Sequence, residues 1–178
     1  MLFIFVILFS KTGIILKGHQ SSHSSSLRED PVIGYTYIPN TKISGEDLKG
    51  EFPIFINKLG FREPDFNEYA VKSANKRVMI LGDSFTFASG VREPFTDIIK
   101  SLFKKDIHKS VAVLNFGLPG FSTHNQIGVV KKYGYDIKPE IIVLAFYLGN
   151  DFRENLVPIN DTKIINGYLV NNTVAWAG

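Results

Sequence analysis

The stretch RVMILGDS, residues 77–84 of this 178-residue chain, predicts a strand, a tight turn and the start of a helix in succession. Its apolar run is typical of a buried strand, and Gly82 permits a tight turn after it. Ser84 then stands where a helix begins, at the carboxyl edge of a sheet, which is where open α/β folds hold their ligands. Backbone N–H groups at a helix start suit a developing anion. The alternative is a plain helix N-cap, in which Asp83 or Ser84 accepts from the first N–H groups.

A second apolar run, VAVL at residues 111–114, ends in a similar turn. Asn115 follows it, and a loop with two glycines and a proline comes next. Gly120 in this loop has no side chain that would keep a substrate from its N–H. The alternative is an ordinary strand-to-helix turn.

A third apolar run, IIVLAFY at residues 141–147, fits a strand buried on both faces. Leu-Gly-Asn-Asp then breaks it, so that Asn150 is either a turn residue or the donor of a side-chain N–H. Because the carboxyl ends of parallel strands share one edge of a sheet, we expect Ser84, Gly120 and Asn150 to lie together. A hydroxyl beside several fixed donors is what acyl transfer requires, since negative charge develops on the carbonyl oxygen.

These three motifs resemble those of the SGNH (GDSL-type) hydrolase superfamily. The matching stretches are LGDSFTFASG at 81–90, NFGLPG at 115–120 and LGND at 148–151. The resemblance implies that Ser84 is the nucleophile. It implies an oxyanion hole made of the backbone N–H groups of Ser84 and Gly120 and the side chain of Asn150. Asp83 and Asp151 are expected to support this site.

The segment ahead of the first strand resembles the membrane-associated bacterial members of the superfamily. The matching stretches are DPVIGYTYIP at 30–39 and INKLGFR at 56–62. The resemblance implies a serine esterase or O-acyltransferase that acts on small-molecule, lipid or carbohydrate esters. It also implies a location outside the cytoplasm, either membrane-anchored or secreted. The rival interpretation is a non-catalytic envelope or carbohydrate-binding domain of the same fold.

The general base of the superfamily is missing from the sequence. Its Asp-x-x-His motif has no counterpart, because no histidine here has an Asp three residues before it; the four are His19, His23, His108 and His124. We expect His124 to be a helix-start residue with no role as base. A serine hydroxyl without a base is a poor nucleophile. We therefore expect the N-terminal part of a longer protein, truncated before the base, with a short non-catalytic relative as the alternative.

Composition narrows the class of protein. An apolar content of 44% is that of a folded chain with a core. The net charge of +3 comes from scattered lysines and arginines, which gives nucleic-acid binding no support. The absence of cysteine excludes disulfides, thiolate metal ligands and cysteine nucleophiles. With no phosphate-binding loop and no metal-spaced cluster, we expect neither a cofactor nor a metal, and the sequence indicates no oligomeric state.

Two helices are expected between the strands. Residues 94–103 place an apolar stripe on one side, formed by Phe95, Ile98, Ile99, Leu102 and Phe103. Residues 123–133 form a less regular helix, whose candidates for burial are Ile127, Val130 and Tyr133. The alternation predicts an α/β fold of three layers, α/β/α, around a parallel sheet of three central strands, SGNH- or flavodoxin-like.

The rest of the chain divides by composition. Residues 1–17 begin with a wholly apolar run and are interpreted as part of a membrane anchor or signal-like segment, which would make membrane contact; a buried N-terminal strand is the alternative. The remaining segments are a Ser-rich linker at 18–29, accessory strands and turns at 30–75, and the N-terminal part of the hydrolase-like domain at 76–178. Within that domain, residues 163–170 predict a hairpin that turns at Asn166-Gly167.

Overall fold

The computed structural model describes residues 3–9, 26–64, 68–104, 110–149, 151–156 and 162–171. Within them the strands are β1 (Phe3–Phe9), β2 (Leu27–Asp30), β3 (Gly34–Tyr37), β4 (Lys42–Asp47), β5 (Gly50–Phe55), β6 (Lys76–Gly82), β7 (Val111–Gly117), β8 (Ile141–Tyr147), β9 (Thr162–Ile165) and β10 (Tyr168–Asn171). The helices are α1 (Glu68–Ser73), α2 (Ser84–Phe87), α3 (Phe95–Lys104), α4 (Thr123–Ile137) and α5 (Asp151–Glu154).

The main sheet is parallel, with the strand order β1-β8-β6-β7. β6, β7 and β8 are the three strands that the apolar runs predict, and the α/β fold class is confirmed. Gly82 at the end of β6 pairs with Gly117 at the end of β7, and Leu81 pairs with Leu144 of β8. The carboxyl ends of the three strands therefore lie side by side at one edge of the sheet.

The apolar N-terminus contributes a fourth strand. β1 runs parallel to β8 from the pair Phe3 and Ile141 to the pair Phe9 and Tyr147. Residues 3–9 thus form a strand. This was the alternative interpretation of the apolar N-terminus, and a membrane segment was the preferred one. Among the residues that the structure describes, no helix has the length and apolarity needed to cross a bilayer.

Helices α3 and α4 pack on side chains that alternate along β6. Val78 and Ile80 belong to one cluster, which includes residues of α3, namely Phe95, Ile99 and Phe103. Met79 and Leu81 belong to another cluster, which includes residues of α4, namely Val129, Val130, Tyr133 and Ile137. Because successive side chains of a strand point to opposite faces, the two helices cover different faces of β6.

The apolar stripe of α3 is narrower than the sequence predicts. Ile98 and Leu102 are 48% and 60% exposed, so their predicted burial is wrong. Phe95, Ile99 and Phe103 are four residues apart, which places them on one line along the helix, and that line meets the sheet. Ile98 and Leu102 lie beside this line and belong to neither apolar cluster of the described residues.

Helix α4 differs from the prediction in its end, which is Ile137 instead of Tyr133, and in the burial of one residue. Val130 and Tyr133 pack against the core as expected, but Ile127 is 47% exposed. The buried side of the first two turns is formed by Asn125, Gln126 and Val129 instead. Two of these are polar, so apolar periodicity alone does not reveal which side of the helix faces inward.

Antiparallel hairpins lie in the chain between β1 and β6 and after β8. β2 pairs with β3 and β4 with β5, as expected for an accessory segment of short strands. Residues 27–29, which composition placed in the linker, belong to β2. The hairpin β9–β10 is confirmed, because Asn166 and Gly167 at its turn have φ of 52° and 84°, the positive values that this two-residue turn requires.

Candidate functional site

Strand β6 carries Ser84 to the carboxyl edge of the sheet. The strand ends at Gly82, and Ser84 is the first residue of α2, where it is half-buried. The side chain of Asp83 caps the helix, since its Oδ1 accepts from the backbone N–H of Phe85 at 2.9 Å. The N-cap interpretation is therefore correct for Asp83. The cap leaves the Ser84 hydroxyl outside this hydrogen bond.

Two glycines let α2 lie directly against the strand ends. A Cβ at Gly117 would stand 2.5 Å from the backbone nitrogen of Phe87. A Cβ at Gly82 would stand 2.0 Å from Oγ1 of Thr86, a buried residue of α2. Both distances are shorter than any real contact, so only glycine fits. The close approach keeps the turn that bears Ser84 in contact with β6 and β7.

The loop after β7 places Gly120 at the same edge of the sheet. Gly120 is exposed and has a φ of 78°, a left-handed conformation that favours glycine. Its neighbour Pro119 accepts a hydrogen bond from the Tyr35 hydroxyl at 2.9 Å. A Cβ at Gly120 would lie 2.9 Å from that hydroxyl and 3.7 Å from Leu169 Cδ2. Tyr35 from β3 and Leu169 from β10 thus hold this loop from outside the main sheet.

Asn150 lies outside the described residues, but its neighbours define the end of β8. Asp151 Oδ2 accepts from the backbone N–H of Tyr147 at 2.7 Å, which turns the chain back onto the strand. The ring of Tyr147 lies 4.3 Å from the ring of Phe85, centroid to centroid. The turn that carries Ser84 therefore contacts the strand end that leads into Asn150.

Asp83 and Asp151 are two carboxylates buried next to each other. Their residues are 1% and 0% exposed, and each carboxylate has one oxygen without a hydrogen-bond partner, Asp83 Oδ2 and Asp151 Oδ1. Burial raises the pKa of Asp83 to about 6, and the charge of Asp151 adds to the effect. Burial also raises the pKa of Asp151. The two residues that the sequence assigned a supporting role thus destabilise each other when both are ionised.

This pair gives the protein a pH-dependent stability. The pKa of Asp83 is about 6 when folded and 3.8 in its ordinary state, so the folded chain binds the extra proton between these values. The stability contributed by Asp83 is complete below about pH 4 and is lost as the pH rises through about 6. Asp83→Asn keeps a capping oxygen and cannot ionise. We expect it to match the wild type near pH 4 and to be about 1–3 kcal/mol more stable near pH 8.

Urea unfolding of both proteins across this pH range would measure the difference in free energy. Glu63, whose pKa is raised by burial, and Glu140, whose pKa is lowered by Arg77, are present in both proteins and contribute equally to the two curves, whereas the part contributed by Asp151 changes together with Asp83. Parallel pH curves for wild type and Asp83→Asn would contradict the prediction.

Polar contacts that the sequence did not predict join the end of β7 to its surroundings. Oε2 of buried Glu63 accepts from the backbone N–H of Asn115 at 2.8 Å, and Oε1 pairs with Lys100 of α3. The Asn115 side chain donates to the Thr86 carbonyl oxygen at 2.9 Å and accepts from the Gly117 N–H at 2.8 Å. Asn115 therefore ties β7 to α2. The one signal in the sequence was its polar position inside an apolar strand.

His124 stands in the first turn of α4 and is exposed, as expected for a helix-start residue. The start of α4 is held by other groups: Asn125 Oδ1 accepts from the Ser122 N–H at 2.9 Å, and Asn155 Oδ1 accepts from the Thr123 N–H at 2.8 Å. The other three histidines lie outside the described residues.

The described residues contain no candidate metal site, because no three of their His, Cys, Asp or Glu side chains lie close enough together to hold an ion. A cavity of about 310 Å³ lies elsewhere, between α1 and the end of α4, and its lining includes Val71, Leu114 and Ile137. Ser84 and Gly120 do not line it.

Comparison with known proteins assigns the chain to no family. No family model matches it, and no curated protein matches it significantly. The placement of Ser84 and its neighbours is therefore the basis on which a function is proposed.

Proposed function

We propose that the full-length protein is a serine acyl hydrolase or O-acyltransferase of the SGNH type, with Ser84 as its nucleophile. The observation that carries the proposal is a half-buried serine at the first position of a helix, at the carboxyl end of a parallel strand. Gly120 and the position of Asn150 follow the two strands that flank β6 in the sheet. This arrangement supports a Ser84 hydroxyl that has a hydrogen-bond donor at the end of each neighbouring strand, Gly120 after β7 and Asn150 after β8.

The packing of the helices supports the finer description of the fold. α3 and α4 associate with alternate side chains of β6 and hence with opposite faces of the sheet. We propose a three-layer α/β/α domain of the SGNH kind. In such a domain the carboxyl edge of the sheet is the natural place for a ligand.

In the proposed reaction the Ser84 oxygen attacks the carbonyl carbon of an ester, and its proton passes to a base; the histidine that serves as base in the superfamily has no counterpart in residues 1–178. The negative charge on the carbonyl oxygen is stabilised by the N–H groups of Ser84 and Gly120 and by the Asn150 side chain. The tetrahedral intermediate expels the alcohol, which takes up the proton from the base, and an acyl-enzyme remains. Water or a sugar hydroxyl then attacks the acyl carbon and gives its proton to the base; the bond to the Ser84 oxygen breaks, Ser84 takes the proton back, and a free acid or an acylated sugar leaves.

The surroundings of Ser84 support an apolar acyl group as the part of the substrate nearest the serine. Phe85 is 50% exposed and its ring stacks at a tilt on Tyr147. On the resemblance to envelope enzymes, we propose that the reaction takes place outside the cytoplasm.

Labelling with a fluorophosphonate tests this function, because only an activated serine reacts with such a probe. We expect the full-length protein to be labelled and peptide mass spectrometry to locate the adduct on Ser84. A folded protein that stays unlabelled at Ser84 would refute the hydrolase and favour the non-catalytic binding domain. Labelling at any other serine would refute the assignment of the nucleophile.

A further inference from the structure

The guanidinium of Arg62 reaches from the loop after β5 to the end of α2. Nη1 donates to the carbonyl oxygens of Phe87 and Ala88, at 3.2 and 2.7 Å. Nη2 donates to the carbonyl oxygens of Val91 and Arg92, at 3.0 and 2.6 Å. A guanidinium is a planar, rigid fork, so four hydrogen bonds from one group fix the direction of all four carbonyls.

Helix α2 depends on contacts from outside because it is a single turn. It comprises Ser84–Phe87, a length that is not stable alone, and its last carbonyl groups have no partners within the helix. Ala88 then adopts a φ of 64°, a left-handed conformation that is unfavourable for a residue with a Cβ. A cation at this end is also favoured by the helix dipole. Arg62 donates to the Phe87 carbonyl oxygen at the end of the helix and to the carbonyl oxygen of the strained Ala88, which also accepts from the Val91 N–H at 3.3 Å.

Arg62 is itself held in place on two sides. Its guanidinium lies 5.6 Å from the ring centroid of Phe52 in β5 and 5.8 Å from that of Phe87. Phe87 is fully buried and stacks on Tyr37 of β3, with the ring centroids 5.3 Å apart. The next residue, Glu63, binds the end of β7. The arginine is therefore fixed relative to the accessory hairpins as well as to the main sheet.

We infer that Arg62 is a positioning residue. By binding the far end of α2, it holds the Ser84 hydroxyl in its place at the carboxyl edge of the sheet. Because α2 has one turn, a rotation at Phe87 moves the Ser84 hydroxyl as well. For its effect on catalysis the inference rests on the proposed function. Arg62 donates to backbone carbonyls of residues 87–92, so it acts on the reaction through α2 and without contact to the substrate.

Arg62→Lys is the informative variant, because lysine keeps the positive charge and loses the fork. A displacement of about 1 Å at a reacting group typically costs on the order of 100-fold in rate. We therefore expect fluorophosphonate labelling of Ser84 to slow about 10–100-fold in the full-length protein. In hydrolysis of an ester substrate, kcat should fall while KM changes little. Amide hydrogen exchange at Ala88 and Ser89 should become faster.

Arg77→Lys is the matched control. Arg77 is also a half-buried arginine that donates to a carbonyl oxygen, that of Lys138 at 3.0 Å, and it pairs with Glu140. It lies at the amino end of β6, the end of that strand away from Ser84. We expect Arg77→Lys to leave the labelling rate and the exchange at Ala88 and Ser89 unchanged.

A double variant tests the inference even if Arg62→Lys folds poorly. Ala88→Gly removes the penalty of the left-handed conformation, and glycine is the residue that helix ends favour at this position. We expect Arg62→Lys/Ala88→Gly to regain part of the lost labelling rate. No regain, in a folded double variant, would overturn the inference.

The remaining outcomes separate this inference from the proposed function. Wild-type labelling and exchange in Arg62→Lys would overturn the positioning role, as would faster exchange with an unchanged labelling rate. If the wild type is not labelled, the proposed function fails. The positioning role of Arg62 is then tested by NMR, which reports the conformation at Ser84 without any reaction. Altered Ser84 Cα and Cβ chemical shifts in Arg62→Lys would support it, and unaltered shifts would overturn it.

Discussion

Replacing Ser84, the proposed nucleophile, with alanine should abolish ester hydrolysis. Removal of the nucleophile from a serine hydrolase lowers kcat by on the order of 10⁶-fold, because the acyl-enzyme can no longer form. Ser84 is half-buried and its hydroxyl is not the cap of α2, which is Asp83. We therefore expect the free energy of unfolding to stay within about 0.5 kcal/mol of the wild type.

The measurement is steady-state hydrolysis of a chromogenic ester, together with urea unfolding of each protein. Ser101→Ala is the control, because Ser101 is an exposed serine on α3 whose hydroxyl donates to the Asp97 carbonyl at 2.9 Å. Its activity should equal that of the wild type. Ester hydrolysis that survives in a folded Ser84→Ala protein would remove Ser84 from the mechanism.

Replacing Phe61 with alanine should destabilise the fold by about 3–5 kcal/mol. Phe61 is fully buried and its ring makes edge contacts with three other rings. Centroid distances are 5.0 Å to Phe116, 6.3 Å to Phe121 and 6.3 Å to Tyr133. Alanine would lose these contacts and leave a cavity between β7 and α4 that rigid rings cannot refill.

Phe55→Ala provides the comparison, since Phe55 belongs to the nearby strand β5 and is 66% exposed. Its loss should cost about 1 kcal/mol or less. Chemical denaturation measures both changes, with the slope of the transition checked for two-state behaviour. Equal losses at positions 61 and 55 would show that the loop before α1 contributes little to the core.

Local patterns in the sequence were enough to identify the strands of the site. β6, β7 and β8 are short apolar runs that end in glycine or polar turns, and this pattern is typical of buried strands. The hairpin at residues 162–171 was predictable for a similar reason, since an Asn-Gly pair between apolar runs sets its own turn. Parallel strands then bring Ser84 and Gly120 to one edge of the sheet.

Burial of individual side chains was harder to predict. Ile98, Leu102 and Ile127 are apolar and yet exposed, while Asn125 and Gln126 are buried. Which side of a helix faces inward depends on the element packed against it. The same holds for residues 3–9, whose apolar run suits a membrane segment or a strand until β8 is available beside it.

The sequence alone thus specified an α/β chain with a serine at the end of a central strand, because strand, turn and helix signals act over a few residues. Three features that surround this serine came only from the folded chain: the Arg62 contacts with α2, the Glu63 contact with β7 and the burial of Asp83 beside Asp151. Arg62 and Glu63 are separated from their partners by 25–30 and 52 residues. These partners are backbone groups, which every residue has, so no side-chain pattern marks them. Only the folding of the chain brings them within hydrogen-bonding distance.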